Sequence, residues 1–181
     1  MNRKLAFLAG LIVICTGLNA QETNLEQSKK FFFGVGWSNL QRTGDFLGSF
    51  DFSFLLYENP NKEFGIRNSI LFDGGSYKDN GNEHSLFSLS EKISFEKITS
   101  NSLFRYYAFL QGGIGIYGNK TKGYFENPFA YNFGVGIGLD IFVEKNASIF
   151  FDYAFLYNIL DNKFYGDKYD PKFQMGIRYY F

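Results

Sequence analysis

The chain has 181 residues, with 18 Lys and Arg against 18 Asp and Glu, and a single cysteine. The length fits one domain, and the balanced charge excludes the basic footprint of a nucleic-acid-binding protein. Phe (24), Tyr (13) and Gly (20) are frequent and Pro (3) is rare, a composition typical of β-strands and not of helices.

Residues 1–20 have the pattern of an export signal. Arg3 and Lys4 precede an apolar run over residues 5–15, and a short polar stretch follows it. The apolar run is too short to span a bilayer as a helix. We therefore expect a signal peptide that is removed before Gln21.

The single cysteine, Cys15, lies within this export signal. Cleavage leaves 16 basic against 18 acidic residues and no cysteine, which excludes disulfides, a thiol catalyst and a cysteine-based metal site. A lipoprotein would use Cys15 as its lipidated residue. The bulky Ile14 directly before it disfavours that alternative.

From residue 31 onward, apolar residues recur with a period of two, which predicts strands. In NFGVGIGLDIFV, apolar side chains from Phe133 to Val143 alternate with small and polar residues such as Gly136 and Asp140. A helix would scatter these apolar groups over all its sides. The predicted strands are 31–38, 46–57, 63–73, 84–97, 102–117, 128–143, 147–160 and 171–181. Residues 21–30 are then a polar periplasmic linker, and residues 31–181 form the β-domain.

The connections between these segments alternate in length. NLQRTGD, GGSYKDNGNE, GNKTKGYFEN and DNKFYGDKYD follow odd-numbered segments, whereas the shorter ENPNK, TSNS and EKN follow even-numbered ones. Such alternation is typical of a barrel with periplasmic termini and turns and with longer extracellular loops. We expect an all-β fold, a closed eight-stranded antiparallel up-and-down transmembrane β-barrel. A soluble lipocalin-like carrier, the alternative, would turn its apolar face inward.

The export signal, the eight alternating segments and the terminal RYYF together resemble the small outer-membrane β-barrels of the OmpX/OmpA type. The resemblance covers nearly the whole chain after residue 20. It implies a location in the outer membrane of a Gram-negative bacterium, contact with outer-membrane lipid and lipopolysaccharide, a packed polar interior and no cofactor. It implies no single biochemical function.

The C-terminal strand resembles the signal that the barrel-assembly machinery reads on such proteins. Its alternate residues are aromatic or aliphatic and end on an aromatic side chain, which we expect to face lipid. These residues are Phe173, Met175, Ile177, Tyr179 and Phe181.

Charged residues on the other face of the strands are expected to fill the interior. Counting inward from the periplasmic ends predicts the ion pairs Asp51–Arg67, Arg105–Asp140 and Asp152–Arg178, with Lys92 and Glu96 nearby. Buried charges must be paired or hydrated, and an eight-stranded barrel has room for side chains and little else. We therefore expect a closed interior; a conduction or proton path through the polar groups is the alternative.

Three glycine clusters, GVG at 34–36, GGIG at 112–115 and GVGIG at 134–138, superficially resemble phosphate-binding loops. The dinucleotide fingerprint needs its glycines between a strand and a helix. Here they lie within predicted strands, mostly on the inner face. We interpret them as space for larger inward side chains such as Arg and Tyr.

The only histidine, His84, precedes Ser85 and raises the question of an outer-membrane enzyme. Adjacent residues in a strand point to opposite faces, so these two side chains are not expected to bond. Ser88 shares a face with His84 but is about 13 Å away along the strand. We predict no catalytic activity and, with one histidine, no transition-metal site.

A polar pair interrupts the apolar face of the third and fourth segments. The face Phe87, Leu89, Glu91, Ile93, Phe95 aims Glu91 at lipid, and Asn68 lies at a matching depth on the neighbouring strand. Polar groups are costly near the membrane midplane. Either a β-bulge rotates Glu91 off that face, or the pair contacts a partner protein or a second copy.

Aromatic residues recur in the long loops. They are Tyr77, Tyr124, Phe125, Phe164, Tyr165 and Tyr169. Exposed rings beside Lys suit contact with a protein or glycan surface, and they equally suit an aromatic belt at the lipid headgroups. The fifth and sixth strands, about sixteen residues each, exceed what a membrane requires and are expected to project outward.

These patterns predict a structural or surface-interaction role in adhesion or the cell envelope, without catalysis. One alternative is an accessory barrel of an export or envelope-assembly complex, docked through Asn68 and Glu91. Another, less favoured, is a lipid-modifying enzyme.

Overall fold

The computed structural model describes residues 30–40, 46–59, 61, 63–79, 82–99, 103–119, 129–158 and 169–181. Eight strands pair in chain order and β8 pairs with β1, so the antiparallel sheet closes into one barrel. The strands are β1 (Phe31–Leu40), β2 (Phe46–Glu58), β3 (Phe64–Asp79), β4 (Asn82–Ile98), β5 (Phe104–Asn119), β6 (Phe129–Glu144), β7 (Ala147–Asn158) and β8 (Tyr169–Tyr180). The predicted fold class is confirmed. In the described part of the chain, no helix has the length and apolar character to cross a membrane.

The barrel is apolar outside and polar inside. On β2, Phe50 and Phe52 are 52% and 46% exposed, whereas Ser49, Asp51 and Ser53 are at most 2% exposed. The period-two alternation of the sequence produces this separation directly, because successive side chains point to opposite faces of a strand. An apolar outer face around a polar interior is the pattern of membrane-spanning barrels.

The two ends of the barrel differ. We call the end where β1 starts and β8 finishes the terminal end, and the opposite one the loop end. At the terminal end, β2–β3 and β6–β7 each contain a shift of register, at Leu55/Tyr57 and Phe142/Glu144. Such bulges bend strands near barrel rims. The backbone N–H of Phe181 donates to the carbonyl of Phe31 at 2.9 Å and completes the closure.

The connection between β3 and β4 is shorter than predicted. Asp79 of β3 pairs with Asn82 of β4, so only residues 80–81 separate these strands, whereas residues 59–63 separate β2 from β3. The prediction that long connections follow odd strands is wrong here. Most of the segment GGSYKDNGNE is strand, because backbone pairing continues after apolar side chains stop.

The longest strands are adjacent. β3 to β6 have 16 or 17 residues, against 10 to 13 for the other four. The lengths predicted for the fifth and sixth strands agree with the structure. The third and fourth strands are equally long, which the apolar pattern did not indicate. The wall of the barrel is therefore taller on the β3–β6 side.

Candidate functional site

The charges of the interior meet around Arg178 of β8. Its guanidinium donates to three carboxylates: Nη2 to Oδ2 of Asp51 at 2.8 Å, Nη1 to Oδ1 of Asp140 at 2.7 Å, and Nη2 to Oδ2 of Asp152 at 3.1 Å. These acids come from β2, β6 and β7, so one side chain joins four strands across the lumen. The planar fork of arginine suits several carboxylates at once.

Neighbouring residues leave room for the Arg178 side chain and contact its guanidinium. Gly34 of β1 pairs with Arg178, and a Cβ at Gly34 would lie 3.1 Å from the Cγ of Arg178. The absent side chain therefore leaves room for the arginine stem. The guanidinium carbon lies 3.9 Å from the ring centroid of Phe150 and 4.8 Å from that of Phe32, close enough for cation–π attraction.

Lys92 and two tyrosines complete this group. The Nζ of Lys92 donates to Oδ2 of Asp152 at 2.9 Å. The hydroxyl of Tyr107 accepts from Nη1 of Arg178 at 2.5 Å and donates to Oδ1 of Asp152. Tyr180 donates to Oδ2 of Asp140 at 2.6 Å. We call Arg178, Lys92, Tyr107, Tyr180 and the three aspartates the Arg178 cluster.

A second group surrounds Glu96 of β4. The Nε of Arg67 donates to its Oε1 at 2.9 Å, and Nη1 of Arg105 lies 3.6 Å from its Oε2. The guanidinium carbon of Arg105 lies 5.1 Å from the ring centroid of Phe142 and 4.9 Å from that of Tyr180. Tyr180 therefore links this group to the Arg178 cluster.

A third group lies nearer the loop end and was not predicted from the sequence. The Nζ of Lys172 is 2.5 Å from Oδ2 of Asp73, and the hydroxyl of Ser88 donates to the same oxygen at 3.1 Å. Strand parity contained the signal, since Lys172 lies on the same face of β8 as Gln174 and Arg178. Asp73, at the end of its predicted segment, was not assigned to the interior.

The structure places two of the three expected ion pairs together. Arg178 contacts Asp152 as described, and Arg105 lies directly opposite Asp140, with Nη1 3.9 Å from Oδ2. Of the two residues expected nearby, Lys92 belongs to the Arg178 cluster and Glu96 is the centre of the second group.

The expected ion pair between Asp51 and Arg67 is not formed, and this prediction is corrected. Asp51 bonds Arg178 and has Lys92 at 3.6 Å, whereas Arg67 bonds Glu96. Arg67 pairs in register with Leu55, four residues from Asp51, which is about 13 Å along the strand. Glu96 is only two register positions from Arg67. The prediction counted residues from the strand ends and did not include this offset between the paired residues of β2 and β3.

The interior charges are balanced. Among the described residues, five buried acids face five buried bases. The acids are Asp51, Asp73, Glu96, Asp140 and Asp152, and the bases are Arg67, Lys92, Arg105, Lys172 and Arg178. Balance and short contacts are what buried charges require, because an unpaired one costs several kcal/mol.

Glycines shape this interior. A Cβ on Gly138 would overlap the ring of Tyr107, and a Cβ on Gly136 would overlap the ring of Phe109. Both glycines lie inside β6, within one of the three glycine clusters. The cluster thus makes room for aromatic side chains that project inward from β5.

The outer face carries the Asn68–Glu91 pair. The Nδ2 of Asn68 donates to Oε1 of Glu91 at 2.6 Å. The expected β-bulge is absent from the described β3–β4 and β4–β5 pairings, whose registers run without a shift past Glu91. Glu91 therefore stays on the exposed face with its apolar neighbours.

The C-terminal stripe lies on the outer face of β8 and just beyond it. Ile177, Tyr179 and Phe181 are exposed, and Phe173 and Met175 are half-buried. The rings of Tyr179 and Phe181 meet edge-on with centroids 5.1 Å apart.

The residues considered for catalysis do not form a described site. Ser88 is buried in the lumen and bonded to Asp73. His84 lies in β4, where its backbone pairs with Tyr77 of β3. In the described residues, no group of three or more His, Cys, Asp or Glu has the arrangement of a metal site.

Several predicted features lie outside the described residues. These are the export signal, the linker up to residue 29, and the loop aromatics Tyr124, Phe125, Phe164 and Tyr165. Tyr77 and Tyr169, expected in loops, lie in strands: Tyr77 within β3, where pairing with β4 continues, and Tyr169 as the first residue of β8. Tyr169 is exposed, and its ring centroid lies 5.4 Å from that of Tyr157.

Comparison with known proteins identifies the fold. No protein-family model matches the chain, and a search of curated proteins found no match. Among solved structures, Neisserial surface protein A superposes with a TM-score of 0.55 and 13% identity, covering 84% of this chain and 95% of its own. The chain has the fold of a small eight-stranded outer-membrane β-barrel. The expected resemblance to such barrels is thereby confirmed at the level of the fold.

Two further structures agree with this assignment. The attachment invasion locus protein Ail of Yersinia pestis, solved with the heparin analogue sucrose octasulfate, has a TM-score of 0.53 and 18% identity over 84% of this chain and 97% of Ail. Outer membrane protein H (OprH) of P. aeruginosa has a TM-score of 0.56 and 16% identity over 84% of this chain and 99% of OprH. At such identities the likeness concerns the fold.

Proposed function

We propose that the chain is an integral barrel of a Gram-negative outer membrane, closed inside by its own side chains, that acts without catalysis through its exposed loop end. The observation that carries the proposal is the division of its two faces. In the part of the chain that the structure describes, exposed aromatic and aliphatic residues cover the outer wall, and five buried acids are balanced by five buried bases in the interior. A soluble carrier needs the opposite arrangement.

The strand lengths support insertion into a membrane. The shortest strand has 10 residues and the longest 17, and a spanning β-strand needs about 9–11. The terminal end is assigned to the periplasm and the loop end to the cell exterior, as in barrels with short periplasmic turns. Heat-modifiable migration of the protein in an outer-membrane fraction supports insertion. Recovery as soluble periplasmic material contradicts it.

The proposed closed interior is supported by three groups of charged side chains at different depths in the barrel. The Arg178 cluster and the Lys172–Asp73 pair join strands that are not neighbours, and the Glu96 group joins the neighbouring strands β3, β4 and β5. An eight-stranded barrel is narrow enough for side chains to fill it. Planar-bilayer recordings of purified protein should show no steady conductance, and a stable nanosiemens-scale current contradicts closure.

A surface role is supported by the loops after β5 and β7. Residues 120–128 and 159–168 contain Tyr124, Phe125, Phe164 and Tyr165 together with four lysines. Rings beside cationic groups suit a protein or glycan surface. The solved complex of Ail with a heparin analogue shows a barrel of the same fold binding a glycan-like anion. The alternative is that these rings form the aromatic belt at the headgroups.

The test of the surface role compares two variants of the purified barrel in liposomes. One replaces the four loop aromatics with Ser; its control is Lys145→Ser in the turn at the terminal end. Binding to an immobilised heparin-type glycan should fall for the loop variant and stay unchanged for the control. Equal binding by the loop variant and the wild type contradicts the surface role for this class of ligand. Heat-modifiable migration verifies that each variant folds.

The absence of catalysis has its own test. Outer-membrane enzymes that modify lipid change the mass of lipid A in cells. Overexpression of this chain should leave that mass unchanged. A new lipid A species that disappears with His84→Ala contradicts the non-catalytic assignment.

The Asn68–Glu91 contact favours a second function, that of an accessory barrel in an export or envelope-assembly complex. Its exposed polar groups offer a docking point within the wall. Crosslinking in intact cells, followed by identification of the partners, tests this. A reproducible crosslinked envelope protein that is lost with Glu91→Leu supports it, and its absence contradicts it.

A further inference from the structure

The polar pair Asn68–Glu91 lies far from both rims of the wall. Glu91 is six residues along β4 from the exposed Lys97 near the terminal end. That separation is about 20 Å along the strand and about 15 Å along the barrel axis at a tilt of about 40°. The apolar band of such barrels is about 25 Å tall. If Lys97 marks its edge, Glu91 lies near its middle.

The pair has hydrogen-bonding capacity left over. One N–H of the Asn68 amide donates to Oε1 of Glu91; the amide has a second N–H, and the carboxyl has a second oxygen. Within the described residues, both groups lie on the outer face and form this one side-chain hydrogen bond. In hydrocarbon no water satisfies the remaining donor and acceptor.

The wall is low on the β5 side of Glu91. Gly112 of β5 is directly opposite Glu91, whereas the larger Ile70 of β3 is opposite it on the other side. A Cβ added at Gly112 would meet only the carbonyl oxygen of Asn132, at 3.8 Å, so the outer surface there is open. Small residues allow two membrane-embedded walls to approach closely.

We propose that Asn68 and Glu91 form the centre of a contact between two copies of this chain in the membrane. In a two-fold contact the same patch meets itself, so a patch with one spare donor and one spare acceptor satisfies both. The second N–H of each Asn68 then donates to the free oxygen of the other copy's Glu91. The inference depends on the proposed membrane insertion.

Engineered cysteines test this proposal, because Cys15 is the only cysteine in the sequence. In a Cys15→Ser background, Leu110→Cys puts a thiol on the exposed face of β5, two residues from Gly112, and leaves that glycine unchanged. The matched control is Phe155→Cys on β7, which is exposed but distant from β4 in the strand order. A short bis-maleimide applied to membranes should yield a dimer of Leu110→Cys and none of Phe155→Cys. Equal crosslinking of the two variants overturns the proposal.

A second arm removes the polar groups. Asn68→Leu with Glu91→Leu, added to Leu110→Cys, should lower the dimer association constant about tenfold to a hundredfold, the range expected for two hydrogen bonds between membrane-embedded segments in lipid. Glu91→Gln replaces the free oxygen that the contact uses as its acceptor with an NH2 donor, and should also weaken the dimer. An unchanged dimer in the double-leucine variant overturns the proposal, as does a crosslinked band whose mass shows a different protein.

Membrane insertion is measured separately in every variant by heat-modifiable migration and sedimentation with the membrane. A folded, membrane-bound Leu110→Cys barrel that gives no dimer overturns the two-copy contact and leaves the proposed function standing. A chain recovered as soluble protein overturns both.

Discussion

The guanidinium of Arg178 lies against the ring of Phe150, its carbon 3.9 Å from the ring centroid, in the middle of a barrel only eight strands wide. The ring covers one face of the cation, while the edge nitrogens bond carboxylates of three other strands. The buried cation is thus stabilised by carboxylates at the edge of the guanidinium and by an aromatic ring at its face. The arrangement also means that this one residue connects strands on different sides of the lumen.

Replacement of Arg178 by Met should destabilise the barrel strongly. It leaves Asp51, Asp140 and Asp152 buried, with Lys92 and Arg105 as their remaining cations. Removal of one partner from a buried ionic group costs about 3–5 kcal/mol. Urea unfolding of the barrel in detergent micelles measures the change in free energy of unfolding.

Arg178→Lys is the control for that variant. A lysine keeps the charge but has neither the fork for several carboxylates nor the flat face for Phe150. Its loss of stability should fall between those of the wild type and the methionine variant. A methionine variant as stable as the wild type contradicts a central role for Arg178.

Alanine at Gly138 should destabilise the barrel, whereas alanine at Gly112 should not. The new methyl at Gly138 overlaps the ring of Tyr107 and the carboxylate of Asp152 inside the lumen, and overpacking costs about 1–3 kcal/mol. At Gly112 the nearest atom is 3.8 Å away, so a change within about 0.5 kcal/mol is expected. Equal free energies of unfolding for the two variants contradict the packing argument.

The sequence predicts the fold well because one physical signal dominates it. Alternation of apolar and polar residues determines both the strand and its faces, and Phe50, Asp51 and Phe52 lie on the faces that parity assigns. The signal fails where apolar residues end. β3 continues past Asp73 to Asp79, where its backbone pairs with β4, and neither hydropathy nor loop composition shows that extension.

The interior is less predictable, because its contacts depend on stagger and on side-chain reach. Parity places Asp51 and Arg67 inside, but it does not show that they lie four register positions apart. The link from Lys172 to Asp73 joins strands that are not neighbours, so no local pattern relates them. Tyr107 and Tyr180 looked like ordinary aromatic strand residues, yet both bond interior aspartates.

The Lys172–Asp73 pair should show strong coupling in a double-mutant cycle. Lys172→Met leaves the Asp73 carboxylate buried with Ser88 as a remaining donor, and Asp73→Leu leaves the ammonium of Lys172 buried. The costs of the two single changes should add up to more than the cost of the double change, with a coupling energy of about 1–3 kcal/mol. Additive changes in the free energy of unfolding contradict a direct pair.

Deletion of Phe181 should lower the amount of barrel in the outer membrane far more than it lowers the stability of barrel already folded. Its ring is 68% exposed, and its backbone adds one hydrogen bond to Phe31, worth about 1 kcal/mol. The contribution to the folded state is therefore small. Because the terminal aromatic resembles a signal read by the barrel-assembly machinery, we expect its loss to act before folding is complete.

Quantitative blotting of outer-membrane fractions measures the first effect, and urea unfolding of barrel refolded in micelles measures the second. Phe181→Tyr keeps an aromatic ring at the same place and should retain near-normal membrane levels. The distinction matters because a strand-closing role predicts parallel losses in both measurements, whereas an assembly signal predicts loss in the first alone. Normal outer-membrane levels of the deletion variant would show that assembly does not depend on the final residue.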